Sequence, residues 1–145
     1  MFKRILLATD GSPTSEHASR MAVELARTHG AALVAVYVVD PYPYLGIGEV
    51  NPLGFDAYMA SARDHAAGAH AHVAELCSEG QPVDLQLRLV EDVTALEGIL
   101  GTAQSERADL IVVGSHGRTG IGRLLVGSVA AKVVAQSTVP VLVVR

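Results

Sequence analysis

The sequence predicts an open, parallel α/β sheet with helices on both faces. Short apolar runs alternate along the chain with longer segments of helical periodicity. Two of these runs, Ile5–Ala8 and Leu110–Val113, are continuously apolar, as expected of strands buried on both sides. Half of the residues are hydrophobic but only 4% are aromatic and none is Trp, which suits a Val/Leu/Ile sheet under Ala-rich helices. At 145 residues, the chain reads as a single domain spanning 1–145.

The elements follow in order. Ile5–Ala8 is the first strand, and it runs into Thr9-Asp10-Gly11-Ser12-Pro13. Ser12 fits a helix N-cap and Pro13 the first helical position. Ala18, Met21, Ala22, Leu25 and Ala26 recur at helical spacing until Gly30 stops them. Ala32–Val39 is a second strand. Asp40–Phe55 holds three prolines and three glycines and is expected to be a long loop. Ala57–Glu79, rich in Ala and His, is expected to be a helix closed by Gly80. Val83–Val90 alternates apolar and polar residues, which predicts a strand near an edge. Val93, Leu96, Ile99, Leu100 and Ala103 mark a third helix, Gly127–Gln136 a short one, and Val139–Val144 a last strand.

Alternating strands and helices imply parallel strands joined by right-handed crossovers. Such sheets bind ligands beyond the carboxyl ends of the strands, where the strand order reverses. With the first and fourth strands adjacent there, Asp10 and Gly114 face one crevice.

Bulk charge narrows the function classes. The net charge of −4 argues against a nucleic-acid partner, because no basic cluster offsets it. The single Cys77 excludes an internal disulfide and fits a reducing compartment. Met1-Phe2-Lys3-Arg4 leads directly into a strand too short for a signal sequence, and no apolar stretch approaches the ~20 residues of a membrane span. The expectation is a soluble, cytoplasmic protein without membrane insertion.

The richest segment is Gly114–Ser128, with five glycines, Arg118, Arg123 and His116 between a buried strand and a helix. Backbone N–H groups of such a loop, beside the positive end of a helix, make an anion site. Gly122 and Gly127 have the outer spacing of a P-loop, but Ser128 stands where lysine is required. Gly120-Ile121-Gly122 lacks the third glycine of a dinucleotide fingerprint, since Leu125 occupies its place. The spacing present is Gly114, Gly117, Gly127, Ser128. Arg118 and Arg123 can add charge-assisted contacts to phosphates, and the Asp10 carboxylate can accept from hydroxyls.

Other polar residues carry less. His116 has no Ser/Asp constellation at suggestive spacing and is expected to be structural or solvent-facing. His65, His70 and His72 do not share a helical face, and no Cys or acidic residue completes a metal set, so they are expected to be solvated. Cys77 is expected to be a semi-buried helix residue.

The glycine spacing, with Ile5–Ser12, Val36–Asp40, Ala108–Gly117 and Val139–Val144, resembles the ATP-binding branch of the universal stress protein family over nearly the whole chain. The resemblance implies a Rossmann-like, single-domain sheet of five parallel strands in the order 3-2-1-4-5. It puts Asp10 on the ribose or adenine side and the Val38 backbone at the adenine edge. Gly114 and Gly117 would lie against sugar and phosphates, and Gly127 and Ser128 would hold phosphate oxygens. The full candidate set is Thr9, Asp10, Val38, Val113, Gly114, Gly117, Arg118, Arg123, Gly127, Ser128 and Val129. The ligand would be ATP, or AMP or ADP, with any Mg²⁺ arriving on the phosphates.

Two further expectations complete the reading. Val139–Val144 carries no charge before Arg145 and would leave a bare apolar edge, which a two-fold homodimer would cover; the resemblance implies the same interface. The resemblance implies a nucleotide-responsive regulator of stress adaptation; no general base and no carboxylate pair for two metals is evident, so at most slow ATP hydrolysis is expected. Two alternatives stay open: an adenylating or phosphoryl-transferring enzyme using the same crevice, and a dimeric interaction module that binds no nucleotide.

Overall fold

Ile5, Leu6 and Leu7 are all fully buried, because their strand lies in the middle of the sheet. The computed structural model describes residues 1–42, 52–116 and 126–145. The elements are β1 (Arg4–Ala8), α1 (Pro13–His29), β2 (Ala32–Val38), α2 (Pro52–Ser78), β3 (Leu85–Val90), α3 (Ala95–Ser105), β4 (Leu110–Gly114), α4 (Ser128–Gln136) and β5 (Val141–Val144). All strands pair in parallel, in the order β3-β2-β1-β4-β5.

Strand alternation divides the core between the two faces. Ile5 and Leu7 of β1, with Leu33, Ala35, Leu110 and Val112, pack under Ala18, Ala22, Val23 and Ala26 of α1 and Val73, Leu76 and Cys77 of α2. Leu6, Val34, Val36, Ile111 and Val113 pack under Ile99 and Ala103 of α3 and Ala130 and Val133 of α4. Each large aliphatic side chain buried in this way contributes about 1.5–3 kcal/mol. The chain steps outward from β1 through β2 to β3, then crosses back to β4 on the other side of β1. The switch point thus lies between β1 and β4, paired as Ile5 with Leu110 and Leu7 with Val112.

Helix ends follow the local chemistry. The Ser12 side chain accepts from the Ser15 N–H at 3.2 Å, Pro13 opens α1, and Gly30 closes it in the left-handed conformation at φ 63°. Thr94 and Glu97 form a reciprocal capping box at the start of α3. Gly127 is the N-cap of α4, and no side chain caps that helix among the described residues.

Several boundaries differ from the expectations. α2 starts at Pro52, inside the segment expected to be loop; proline is tolerated in the first turn, where its missing N–H has no helical partner. Residues 43–51 of that segment lie outside the described residues. Val93 precedes the Thr94 cap instead of lying in α3. β5 begins at Val141, later than Val139, because Ser137 and Val139 bond to each other in a turn; β3 begins at Leu85, later than Val83, whose N–H donates to the Cys77 carbonyl at the end of α2 at 3.3 Å. Cys77 is buried, and burial pushes its thiol pKa up. No helix among the described residues is long and apolar enough to cross a membrane.

Candidate functional site

A crevice of about 270 Å³ opens at the switch point, beyond the carboxyl ends of β1, β2 and β4 and against the starts of α3 and α4. Eight sequence-predicted residues line it: Thr9, Asp10, Val38, Val113, Gly114, Gly127, Ser128 and Val129. Gly117, Arg118 and Arg123 lie outside the described residues.

The turn after β1 forms one wall. Thr9 is buried, with its Oγ1 3.1 Å from Ser15 Oγ and accepting from the Gly11 N–H at 3.3 Å. Asp10 Oδ1 accepts from the Ser12 N–H at 2.9 Å, which leaves its second oxygen for the crevice. Gly11 turns the chain at φ 75°, a conformation that other residues rarely adopt.

β2 supplies the apolar side. Val36, Val38 and Asp40 line the crevice. α3 touches this strand at Gly98, where a Cβ would stand 2.5 Å from Val38 Cγ2. Only a glycine lets the helix approach so closely without moving Val38.

β4 and α4 supply the opposite side. A Cβ on Gly114 would stand 3.3 Å from both the carbonyl oxygen and Cγ2 of Thr14. The Ser115 N–H donates to Val144 O at 2.7 Å, and Ser115 Oγ lies 2.9 Å from His116 Nδ1. The Gly127 N–H donates to the Ser115 carbonyl, and a Cβ on Gly127 would meet that oxygen at 3.0 Å. Glycine thus joins the end of β4 to the start of α4. Ser128, Val129 and Ala130, the first turn of α4, line the crevice, and their N–H groups have no helical acceptor.

The two sides differ electrically. Asp10 and Asp40 put carboxylates on the β1–β2 side. The α4 start presents backbone donors and the positive end of a helix dipole. No Lys or Arg lines the crevice among the described residues. The arrangement suits a molecule with hydrogen-bond donors at one end, an apolar middle and an anionic tail.

The histidines depart from expectation. His65 is exposed, but His70 and His72 are half-buried. Small Ala66 and Ala69 pack α2 against Tyr37 and Val39 of the sheet, which brings in His70, while His72 Nε2 lies 3.8 Å from Glu16 Oε1 of α1. His70 packs edge-on against Tyr37 at 6.4 Å, and burial holds its pKa below the usual imidazole value. No group of three His, Cys, Asp or Glu among the described residues could hold a metal ion. His116, expected to be structural or solvent-facing, is half-buried in the crevice wall.

Ser15, Asp40, Ala95, Ile99 and Ser115 also line the crevice and were missed by the sequence reading. Asp40 had a legible signal, since it continues the two-residue period of Val36 and Val38. Ala95 and Ile99 had none, because they come from a distant helix.

These features define a class: a doubly wound α/β domain with a crevice at its switch point, bounded by a helix start that has no side-chain cap among the described residues. The profile of the universal stress protein family matches residues 1–145, and the chain belongs to this family. It is 39% identical over 146 residues to a universal stress protein of Thermus aquaticus, covering all of both chains. Among solved structures it resembles a universal stress protein of Lactobacillus plantarum at 26% identity, with a TM-score of 0.82 and 99% and 97% of the two chains covered. It also resembles a universal stress protein solved in complex with cAMP, at 27% identity, with a TM-score of 0.63 and 99% and 97% covered.

Proposed function

We propose that this universal stress protein binds ATP in the switch-point crevice and acts as a nucleotide-responsive regulator of stress adaptation. The observation that carries this reading is the convergence of Asp10, Val38, Gly114 and the uncapped α4 start on one crevice. The likeness to a relative solved with cAMP supports an adenine nucleotide as the ligand class. Base and ribose lie toward Val38 and Asp10, and phosphates lie against Gly127, Ser128 and Val129. Arg118 and Arg123 of the glycine loop add charge to the phosphate end. Mg²⁺ travels with the phosphates, which supply most of its ligands.

The role is binding before catalysis. Asp10 follows β1 and Asp40 follows β2, whereas this reading gives the phosphates to the backbone at the start of α4. Slow hydrolysis is compatible with this, and a turnover near the ~10 s⁻¹ typical of enzymes is not. The buried Cys77 thiol fits a reducing compartment such as the cytoplasm.

β5 lies at the sheet edge, with Val141, Leu142, Val143 and Val144 each only partly buried. Pairing with its own copy in a two-fold homodimer would cover this edge. Calorimetric titration with ATP and light scattering at micromolar concentration test the two claims. Saturable binding and a dimer mass are expected; no binding, or a monomer, refutes the corresponding claim.

A further inference from the structure

The apolar wall that β2 presents to the crevice ends in a carboxylate whose backbone is anchored from the other face of the sheet. Tyr37 and Val39 are buried beneath α2 with Met59, Ala66 and Ala69. Val36, Val38 and Asp40 therefore share the opposite face, and all three line the crevice. The Val39 N–H donates to Val90 O at 2.8 Å, so sheet pairing continues one residue past β2. Immediately after it, the Asp40 carbonyl accepts from Tyr58 Oη at 2.7 Å. Tyr58 packs edge-on against Tyr42 at 5.3 Å, and Tyr42 against Phe55 at 5.7 Å.

The Asp40 carboxylate makes no ion pair or hydrogen bond among the described residues. Asp10, its counterpart on β1, already accepts from the Ser12 N–H. An ionised carboxylate only accepts hydrogen bonds, so Asp40 favours N–H and O–H groups and repels carbonyl and phosphate oxygens.

We infer that Asp40 is a specificity-determining residue that accepts a hydrogen bond from the nucleoside part of the ligand, and that Tyr58 is the positioning residue holding it there. The donor is an exocyclic amine or a sugar hydroxyl. The inference rests on the nucleotide reading above and says which nucleosides the crevice selects.

Affinities for AMP, its 2′-deoxy analogue and IMP, which carry the same phosphate, test it in the wild-type chain, Asp40→Ala and Tyr58→Phe. The wild type is expected to bind one analogue about tenfold more weakly than AMP, the scale of one lost hydrogen bond to a charged acceptor. In Asp40→Ala, AMP affinity falls about tenfold and that discrimination vanishes; the analogue that responds identifies the donor. Tyr58→Phe keeps the ring packing, reduces the same ratio and leaves the other unchanged. If Asp40→Ala keeps both ratios, or leaves AMP binding intact, the inference is overturned. An equal loss for all three nucleotides with a lowered unfolding temperature marks a structural role and also overturns it. A wild-type chain that binds none of the three refutes the nucleotide reading itself, a result distinct from binding with unchanged ratios.

Discussion

α1 and α3 both start beside the crevice rim, and each satisfies its own first turn: α1 through Ser12, α3 through the Thr94–Glu97 box. α4 starts at the same rim with Gly127 and no side-chain cap among the described residues. The helices also differ in their anchoring. α1 buries six residues over its 17, whereas α4 buries only Ala130 and Val133 over its nine. The helix with least packing thus also forgoes a cap that typically contributes about 1 kcal/mol. What it keeps is a set of free N–H donors at a helix start, which is what an anion requires. Capped starts build the rim, and under the proposed function the start of α4 is the one that receives the ligand's anionic end.

The largest effect should come from closing the uncapped end. Gly127→Val places a branched side chain where a Cβ alone would already meet the Ser115 carbonyl at 3.0 Å. Loss of two charge-assisted bonds, each about 1.5–3 kcal/mol, predicts a fall of at least about 100-fold in ATP affinity. Unchanged affinity in a titration would remove the α4 start from the binding site.

Next in size is the ligand's effect on stability. ATP at about 100 times its Kd should stabilise the fold by ~2.7 kcal/mol. Hydrogen exchange should show added protection at the amides of Ser128, Val129 and Ala130, and little at the first turns of α1 and α3. Equal protection at all three helix starts would erase the distinction between them.

A smaller and opposite effect is expected at a capped start. Thr94→Ala breaks the capping box and should cost about 1 kcal/mol in urea unfolding, with ATP affinity within about twofold of wild type. A loss of affinity comparable to that of Gly127→Val would mean that α3 belongs to the anion site.

The smallest effect lies across the sheet, on α2. Burial lowers the pKa of His70 in the fold, whereas the unfolded chain takes up a proton near the ordinary value of about 6.5. Its contribution is fully present above that value and is lost as pH falls through the lower folded pKa. His70→Gln should flatten the acid limb of the stability profile and leave nucleotide affinity unchanged. An unaltered acid limb would locate the proton uptake elsewhere.

Local chemistry was legible wherever one residue type decides a backbone state. Ser12-Pro13 and Gly30 bracket α1 as read, and the continuous apolar runs of β1 and β4 sit in the buried middle of the sheet. The start of α2 was misread because Pro52 and Gly54 are loop signals in isolation, and only the completed helix shows that this proline is in its first turn. His70 and His72 were misread because a sequence pattern gives their spacing but not how closely α2 lies on the sheet beside His70 and on α1 beside His72.

By itself, then, the sequence determined the order of strands and helices, the two faces of the core and the glycines that follow β4, all set by side-chain period and backbone freedom. Only the tertiary structure decided that Tyr58 pins Asp40 from behind, that Ala95 and Ile99 line the crevice, and that Gly98 brings α3 against Val38. These contacts join residues far apart in the chain, and their geometry exists only once the sheet has its register and the helices have packed.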